Sequence, residues 1–274
     1  MKAISTFLHR GIGALVLFFH IALAGAQSGA LDTSFDPGTG ANASILRSAV
    51  LPNGSYMIAG AFTSYAGNPC GRIARVLPGG SYDPTFVSGT GFNDQINHMR
   101  VQSDGKIIVL GPFTQYNGTN VSGVVRLLPD GALDGTFLPV APNPSFLSTL
   151  EVLPDDRVLI SGNFSIPGGP TAVRLARFMP NGSLDQVLAT LGNTNGLVTS
   201  ILTIPDGRVM IGGSFTVVQG QTRNGIALLS SGGILDTSFD PGTGFSTASL
   251  SLQRLILGPS GGIYAVGSFT QYNG

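Results

Sequence analysis

Residues 31–40 read Leu-Asp-Thr-Ser-Phe-Asp-Pro-Gly-Thr-Gly, and the same ten residues return letter for letter at 235–244. Weaker copies of the Leu-Asp-x-x-Phe part lie between them, at 82–86, 133–137 and 184–188. Successive aspartates of the five copies are 51 residues apart: Asp32, Asp83, Asp134, Asp185 and Asp236. A fixed long period indicates one supersecondary unit stacked on copies of itself.

The composition indicates an all-β protein. The chain has 274 residues, of which 40 are glycine and 17 are proline, as expected for many short elements joined by tight turns. It contains one glutamate and two lysines, so strong helix formers are scarce. Hydrophobic residues make up 42% and charged residues 10%, which is too apolar for a disordered chain.

The second unit shows the predicted pattern of one repeat most clearly. Its apolar segments are short and are joined by turns rich in aspartate and glycine, such as Asp104-Gly105 and Asp130-Gly131. This pattern predicts four short antiparallel strands joined by hairpins. The predicted strands cover residues 96–102, 106–111, 124–128 and 132–137.

Three further residue types recur with the repeat. A phenylalanine after the second strand steps by 51, 51, 51 and 54, which places three extra residues in the fifth unit near 245–250. An arginine in the third strand recurs until Leu228 replaces it in the fourth unit. We expect the phenylalanine to fill the space between units, the aspartate to cap a turn, and the arginine to pair with that aspartate. The recurring residues are Phe62, Phe113, Phe164, Phe215 and Phe269, with Arg75, Arg126 and Arg177.

The second strands favour a β-propeller. Residues 56–59, 107–110, 158–160 and 209–211 are apolar at consecutive positions, so both faces of each strand must be covered. Each blade of a propeller has a neighbour on either side, and blades of four strands repeat at about this period. The alternative is a linear β-solenoid or an open stack of sheets.

The predicted units cover about 41–86, 92–137, 143–188 and 194–239, with a partial unit at 245–274 and a lone fourth-strand segment at 31–35. The last unit lacks residues for a third and fourth strand. We therefore expect an incomplete or open ring, belonging to a longer array of repeats, with exposed sheet edges at its ends.

The N-terminus is typical of a secretory signal peptide. Lys2 and Arg10 precede an apolar run from Gly11 to Leu23, and Ala24-Gly25-Ala26 offers a cleavage site. This predicts a signal peptide at 1–26 and an exported chain at 27–274. The alternative is a membrane anchor, but the run is shorter than the roughly 20 apolar residues of a spanning helix. We expect no membrane span in the mature chain.

The repeated motifs resemble those of the delta-60 repeat proteins, a bacterial family of tandem repeats assigned to the β-propeller class. The resemblance rests on Pro-Asp-Gly-Arg-Val-Met-Ile-Gly-Gly-Ser-Phe-Thr at 205–216 and on Arg-Leu-Leu-Pro-Asp-Gly-Ala-Leu-Asp-Gly-Thr-Phe at 126–137. It covers about residues 31–274, although the period is somewhat shorter than usual in that family. The resemblance implies a secreted or surface-associated bacterial protein of no established activity, and it supplies no catalytic residues.

No residues are predicted to be catalytic, to hold a cofactor or to bind a metal. His98 is the one histidine after the signal segment, and Glu151 is expected at a solvated edge. Asp155 and Asp156 share a hairpin turn, so they cannot flank a bond as glycosidase carboxylates do. Cys70 has no partner for a disulfide and is expected to be a half-buried loop residue.

Two weaker ligand hypotheses remain open. Asp32 with Asp36, and Asp236 with Asp240, place carboxylates four residues apart, as calcium ligands can be, but capped turns are the preferred interpretation. Tyrosines recur in one loop of three units, where they either contact a partner or pack on their own hairpin. These are Tyr65, Tyr116 and Tyr272.

The chain carries 14 basic and 14 acidic residues, so no nucleic-acid partner is expected. The preferred function is an exported, non-enzymatic repeat module that binds a protein or glycan, or acts as a scaffold, at the cell surface or outside the cell. The alternative is a hydrolase or lyase whose site is built from unique loops at 141–144 or 192–195. A cluster of His, Glu or Asp from different blades at one mouth of the channel would favour the enzyme.

Overall fold

The computed structural model describes residues 32–137, 143–165, 173–185, 194–246 and 252–274. These residues form strands, turns and bends, and none of them is helical. Residues 35–274 belong to one compact unit, whereas residues 32–34 belong to the N-terminal unit. The predicted signal peptide at 1–26 lies outside the described residues, as do parts of the two unique loops.

Each of the first four repeats forms a three-stranded antiparallel sheet with its second strand in the centre, and the fifth sheet has two strands. The first sheet contains β1 (Ile45–Val50), β2 (Tyr56–Gly60) and β5 (Ile73–Val76). The second contains β6 (His98–Val101), β7 (Ile107–Leu110) and β10 (Val124–Leu127). The third contains β11 (Asn143–Val152), β12 (Val158–Ser165) and β13 (Val173–Phe178). The fourth contains β14 (Val198–Thr203), β15 (Val209–Gly213) and β18 (Ile226–Leu229), and the fifth β19 (Leu252–Leu257) and β20 (Ile263–Gly267).

Short hairpins join the second and third strands of three sheets. They are β3 (Ser64–Tyr65) with β4 (Asn68–Pro69), β8 (Gln115–Tyr116) with β9 (Thr119–Asn120), and β16 (Val217–Val218) with β17 (Gln221–Thr222).

The predicted fourth strand is reduced to one bridging residue in each of four repeats. The aspartate of the Leu-Asp motif follows that residue directly and turns the chain away. In the second repeat Oδ1 of Asp134 accepts hydrogen bonds from the backbone N–H and the hydroxyl of Thr136, at 2.9 and 2.6 Å. This confirms the predicted cap, and it explains why pairing stops after one residue. The bridges are Val76 to Tyr82, Leu127 to Leu133, Phe178 to Leu184 and Leu229 to Leu235.

The two faces of each central strand pack against different neighbours. In β7, Ile107 and Val109 join a cluster with residues of the first sheet, whereas Ile108 and Leu110 join a cluster with residues of the third. All four are fully buried or nearly so. The prediction that both faces are covered is therefore confirmed, and consecutive sheets stack face to face in chain order.

The recurring phenylalanine lies between sheets in the second, third and fourth repeats, as predicted, whereas Phe62 packs among residues of the first repeat alone. Phe113 packs with Met57 and Phe86 of the first repeat, and its ring centroid is 4.4 Å from that of Phe92. Phe164 packs against the second sheet in the same way, and Phe215 against the third. These side chains are 0–2% exposed, so they fill the interface on the side of the preceding blade.

The predicted arginine–aspartate pairs are present, and each also joins two sheets. Nε of Arg126 lies 2.8 Å from Oδ2 of Asp134 in its own repeat. Nη1 of Arg126 donates to the carbonyl of Pro180 in the next repeat, at 2.6 Å. Both side chains are buried, so the charge-assisted bonds are shielded from water. The equivalent pairs are Arg75 with Asp83, and Arg177 with Asp185; their Nη1 groups donate to Pro129 and Ser231.

The fourth repeat keeps the ion pair although Leu228 replaces the arginine. Arg208, in the turn between β14 and β15, reaches Asp236 instead, and its Nη1 lies 2.9 Å from Oδ2 of that carboxylate. The pair is more exposed than its counterparts, since 38% of the Arg208 side chain is accessible. The turn between the first and second strands therefore supplies the cation that the third strand lacks in this repeat.

The stack of described sheets forms an open propeller. The last face, on β19 and β20, exposes apolar side chains: Ile256 is 44%, Tyr264 60% and Val266 50% accessible. The pairing of Phe245 with Tyr272, and of Leu252 with Gly267, places the three extra residues of the fifth repeat between Phe245 and Leu252. This agrees with the position predicted from the repeat.

Candidate functional site

The first strands of the five sheets contact one another in chain order, so they form the inner row of strands. One register position on these strands carries arginine in the first and fifth repeats and another residue in each of the three repeats between them. A register irregularity precedes this position in the first, third, fourth and fifth sheets, and such bulges re-aim the side chain that follows. The five residues are Arg47, His98, Thr149, Ser200 and Arg254.

Arg47 and His98 meet between the first and second sheets. Nη2 of Arg47 lies 3.0 Å from Nε2 of His98 and 3.4 Å from its Nδ1. Nη1 of Arg47 donates to the carbonyl of Leu46 in its own strand, at 2.6 Å. Since an arginine only donates, the nearer ring nitrogen of His98 must be unprotonated and accept the bond.

The surroundings of His98 keep its imidazole neutral. Burial lowers its pKa, and the positive charges of Arg47, Arg100 and Arg254 lower it further, to about 3. A hydrogen bond with the backbone of Ser148 acts in the opposite direction but is outweighed. At neutral pH His98 is therefore an uncharged hydrogen-bonding group beside a guanidinium.

We predict that acid weakens the fold through His98. The unfolded side chain takes up a proton as the pH falls below 6.5, whereas the folded one does so only near pH 3. The contribution of His98 to the free energy of unfolding is therefore complete above pH 6.5. It declines as the pH falls, by up to about 1.4 kcal/mol per pH unit. Urea unfolding between pH 7 and 5 measures this slope. His98→Gln should flatten it, and an unchanged slope in that variant would contradict the assignment.

Arg100 and Glu151 form a second contact between inner strands, two residues further along. Nε of Arg100 lies 3.0 Å from Oε2 of Glu151, across the second and third sheets. Only 18% of the Glu151 side chain is accessible, so the prediction of a solvated edge position was wrong. Burial raises the pKa of Glu151, although Arg100 acts against that change.

Arg254 adds a third positive charge from the fifth sheet. Burial lowers the pKa of Arg47, and the charges of Arg100 and Arg254 add to that effect, so the three guanidinium groups repel one another. Within the described ranges, no carboxylate lies within ion-pair distance of Arg47 or Arg254. Three arginines and one glutamate leave this inner site with a net positive charge.

The sequence pattern singled out His98 and Glu151 but not the three arginines around them. A repeat draws attention to residues that recur in most units, and these arginines do not. Aligning the five first strands by the 51-residue period, with the last step lengthened to 54, places Arg47, His98 and Arg254 in one column. The sequence alone still could not show that the column faces a common space.

The recurring tyrosines pack on their own repeats in the first two units. The hydroxyl of Tyr65 donates to the carbonyl of Gly80 at 2.8 Å, and that of Tyr116 to Gly131 at 2.5 Å. Both rings are almost fully buried, so they cannot contact a partner. In the fourth repeat, the side-chain amide of Gln219 donates to the carbonyl of Gly233, which is equivalent to Gly80 and Gly131. Tyr272 is 48% exposed, and its ring centroid lies 4.9 Å from that of Phe245.

The acidic residues weighed as calcium ligands cap turns. Oδ1 of Asp236 accepts from Ser238, while its Oδ2 accepts from Arg208. Asp36 and Asp240 each accept a backbone N–H from the glycine two residues on, at 2.8 Å. In the part of the chain that the structure describes, no three His, Cys, Asp or Glu side chains group as metal ligands do.

Asp155 and Cys70 both have contacts that suit a structural role. Asp155 lies in its hairpin turn, where it accepts the N–H of Arg157 and pairs with that side chain at 2.7 Å. Cys70 is fully buried rather than half-buried, and burial raises the pKa of its thiol to about 11. A thiol in this state is unreactive at neutral pH.

No helix among the described residues is long and apolar enough to cross a membrane.

No curated protein matches the chain. Solved propeller-like structures are similar to it at low identity. The extracellular domain of a one-component system from B. thetaiotaomicron is 14% identical, with a TM-score of 0.46; the match covers 81% of this chain and 26% of that one. This chain thus spans about a quarter of that protein's length.

A gluconolactonase from Xanthomonas campestris is 16% identical, with a TM-score of 0.44; the match covers 80% of this chain and 68% of that one. The family model of a beta-propeller domain of unknown function, DUF5122, matches four segments of this chain. They are residues 51–86, 102–137, 153–186 and 204–239, which together make up just over half of the sequence. Each segment runs from the first hairpin turn of a repeat to the Leu-Asp turn that ends it. The chain therefore belongs to the DUF5122 beta-propeller family.

Proposed function

We propose that the chain is an exported, non-enzymatic propeller module that binds a ligand or partner at the cell surface or outside the cell. The observation that carries this proposal is the inner register position, where the residue changes along the array and is arginine in the first and fifth repeats. The residues that hold the blades together recur from repeat to repeat, as Arg126 and Phe113 do. Arg47, His98 and Arg254 do not follow that repeated pattern, and the positive charges of the two arginines act on each other beside the neutral ring of His98.

The protonation state of His98 supports binding over catalysis. General bases work best when their pKa lies near the operating pH. An imidazole with a pKa of about 3 holds a proton too weakly to remove one efficiently from a substrate. The same neutral ring beside Arg47 is well suited to fixing the orientation of a bound group.

Export is tested by expressing the full chain in a bacterial host and determining the N-terminus of the product by mass spectrometry. We expect the chain to begin at Gln27 and to be found in the periplasm, on the envelope or in the medium. Leu17→Arg places a charge in the apolar run and should retain the uncleaved chain in the cytoplasm. Cytoplasmic wild-type chain that begins at Met1 would overturn the exported part of the proposal.

A hydrolase or lyase is the second candidate, because His98 and Glu151 reach the inner row from neighbouring blades. The test is a screen for ester hydrolysis and for elimination from uronate glycosides. Activity that is lost in both His98→Gln and Glu151→Gln, while the fold is retained, would favour the enzyme. Activity that is absent, or equal in wild type and variants, would favour the binding module.

A further inference from the structure

The inner strands gather positive charge in a chain that has no excess of it. The sequence carries equal numbers of basic and acidic residues. The arginines of the repeated pairs have carboxylate partners, for example Arg75 with Asp83. Arg47 and Arg254 have none among the described residues, although they occupy the same register position of the inner strands, each directly after a bulge, and the charge of Arg254 acts on Arg47. Bringing like charges together costs free energy, which a bound anion would offset.

Both arginines have hydrogen-bond donors that are not used within the described residues. Arg47 uses one bond to Leu46 and one to His98, which leaves the other N–H groups of its guanidinium available. Arg254 lies exposed, and none of the described residues accepts a hydrogen bond from it. Guanidinium groups bind carboxylate, phosphate and sulfate through paired N–H bonds.

We propose that Arg47 and Arg254, with His98 orienting Arg47, bind the anionic group of a small ligand at the inner strands. The group is an oxyanion carried by the ligand: a carboxylate, a phosphate or a sulfate. Glu151 limits the site's positive charge by pairing with Arg100. This inference rests on the proposed binding function and names the chemistry of the ligand.

The site is tested by calorimetric titration of the full chain at low ionic strength with inorganic phosphate, with sulfate and with glucuronate. Glucose serves as the uncharged counterpart of glucuronate. We expect at least one anion to bind, glucose not to bind, and added NaCl to weaken the binding. The three anions distinguish a phosphate, a sulfate and a sugar carboxylate as the group recognised.

Three substitutions assign the binding to these residues. Arg47→Gln and Arg254→Gln should each weaken it at least tenfold. Arg223→Gln, on the loop between β17 and β18, removes the same charge elsewhere and should leave the affinity unchanged. Because Arg254 is exposed, its replacement should not unfold the chain, and a circular dichroism spectrum checks this.

Glu151→Gln provides a test of opposite sign. Removing its negative charge should tighten anion binding, whereas a merely structural role predicts no change or a loss. The inference is overturned if none of the anions binds, if Arg223→Gln weakens binding as much as Arg254→Gln, or if Glu151→Gln weakens it. Such a failure with export intact would leave the proposed surface module standing, because its test does not depend on the anion.

Discussion

Replacing Arg126 by methionine should lower the free energy of unfolding by about 3–5 kcal/mol, the cost of breaking a buried ion pair from one side. Asp134 is 4% exposed and would keep as its nearest cation only Lys106, whose Nζ lies 4.0 Å from Oδ2. Burial alone raises the pKa of that carboxyl, but hydrogen bonds from Thr136 and Arg126 outweigh it and lower the pKa. The substitution also removes the bond to Pro180 of the next repeat. Chemical unfolding followed by circular dichroism measures the loss.

Arg208→Met is the matched control, because it breaks the equivalent pair where the arginine is 38% exposed. We expect a much smaller loss of stability than for Arg126→Met, because exposed ion pairs contribute little. The double variant Arg126→Met with Asp134→Leu removes both charges, and it should recover much of the stability. A single Arg126→Met variant as stable as the Arg208→Met control would contradict the structural role of the buried pair.

Phe113→Ala should cost about 3–5 kcal/mol, the usual loss when a buried aromatic ring is removed from a core. The ring is 1% exposed and packs against Phe92 and against residues of the first sheet. Its removal leaves a cavity between two stacked sheets that cannot close without shifting one of them. Thermal and urea unfolding report the change in stability.

Phe35→Ala is the control for this prediction, because Phe35 is 38% exposed and its ring contacts Tyr56 edge-on at 5.9 Å. We expect it to cost about 1 kcal/mol or less, as surface substitutions do. Equal losses for the two variants would show that Phe113 is not a core residue of the interface.

Much of the architecture could be predicted because its determinants recur along the chain. The 51-residue step identified the turn aspartates, the arginine partners and the phenylalanines between sheets, because each serves the same structural role in most repeats. Consecutive apolar residues in β7 showed that both faces are covered, since a strand's side chains alternate between its two faces. The position of a residue in the repeat therefore predicts its place in the folded sheet.

The remaining features depend on contacts that the repeat does not encode. Where the fourth strand ends is decided by the turn at Asp134, which caps the chain after one bridging residue. The burial of Tyr116 depends on a carbonyl 15 residues away, so its loop position alone left two interpretations open. Arg47 and Arg254 lie 207 positions apart and interact only because intervening sheets bring their strands together.

The arginine that bridges two sheets has a consequence for how such an array lengthens. Its guanidinium belongs to one repeat, and the carbonyl that it bonds belongs to the next, at Pro129, Pro180 or Ser231. Because the acceptor is main chain, its side chain can change without loss of the bond. A duplicated 51-residue segment inserted into the row would offer a carbonyl to the repeat before it and an arginine to the repeat after it. Tandem duplication of the coding sequence can therefore add blades without a compensating substitution in the older ones.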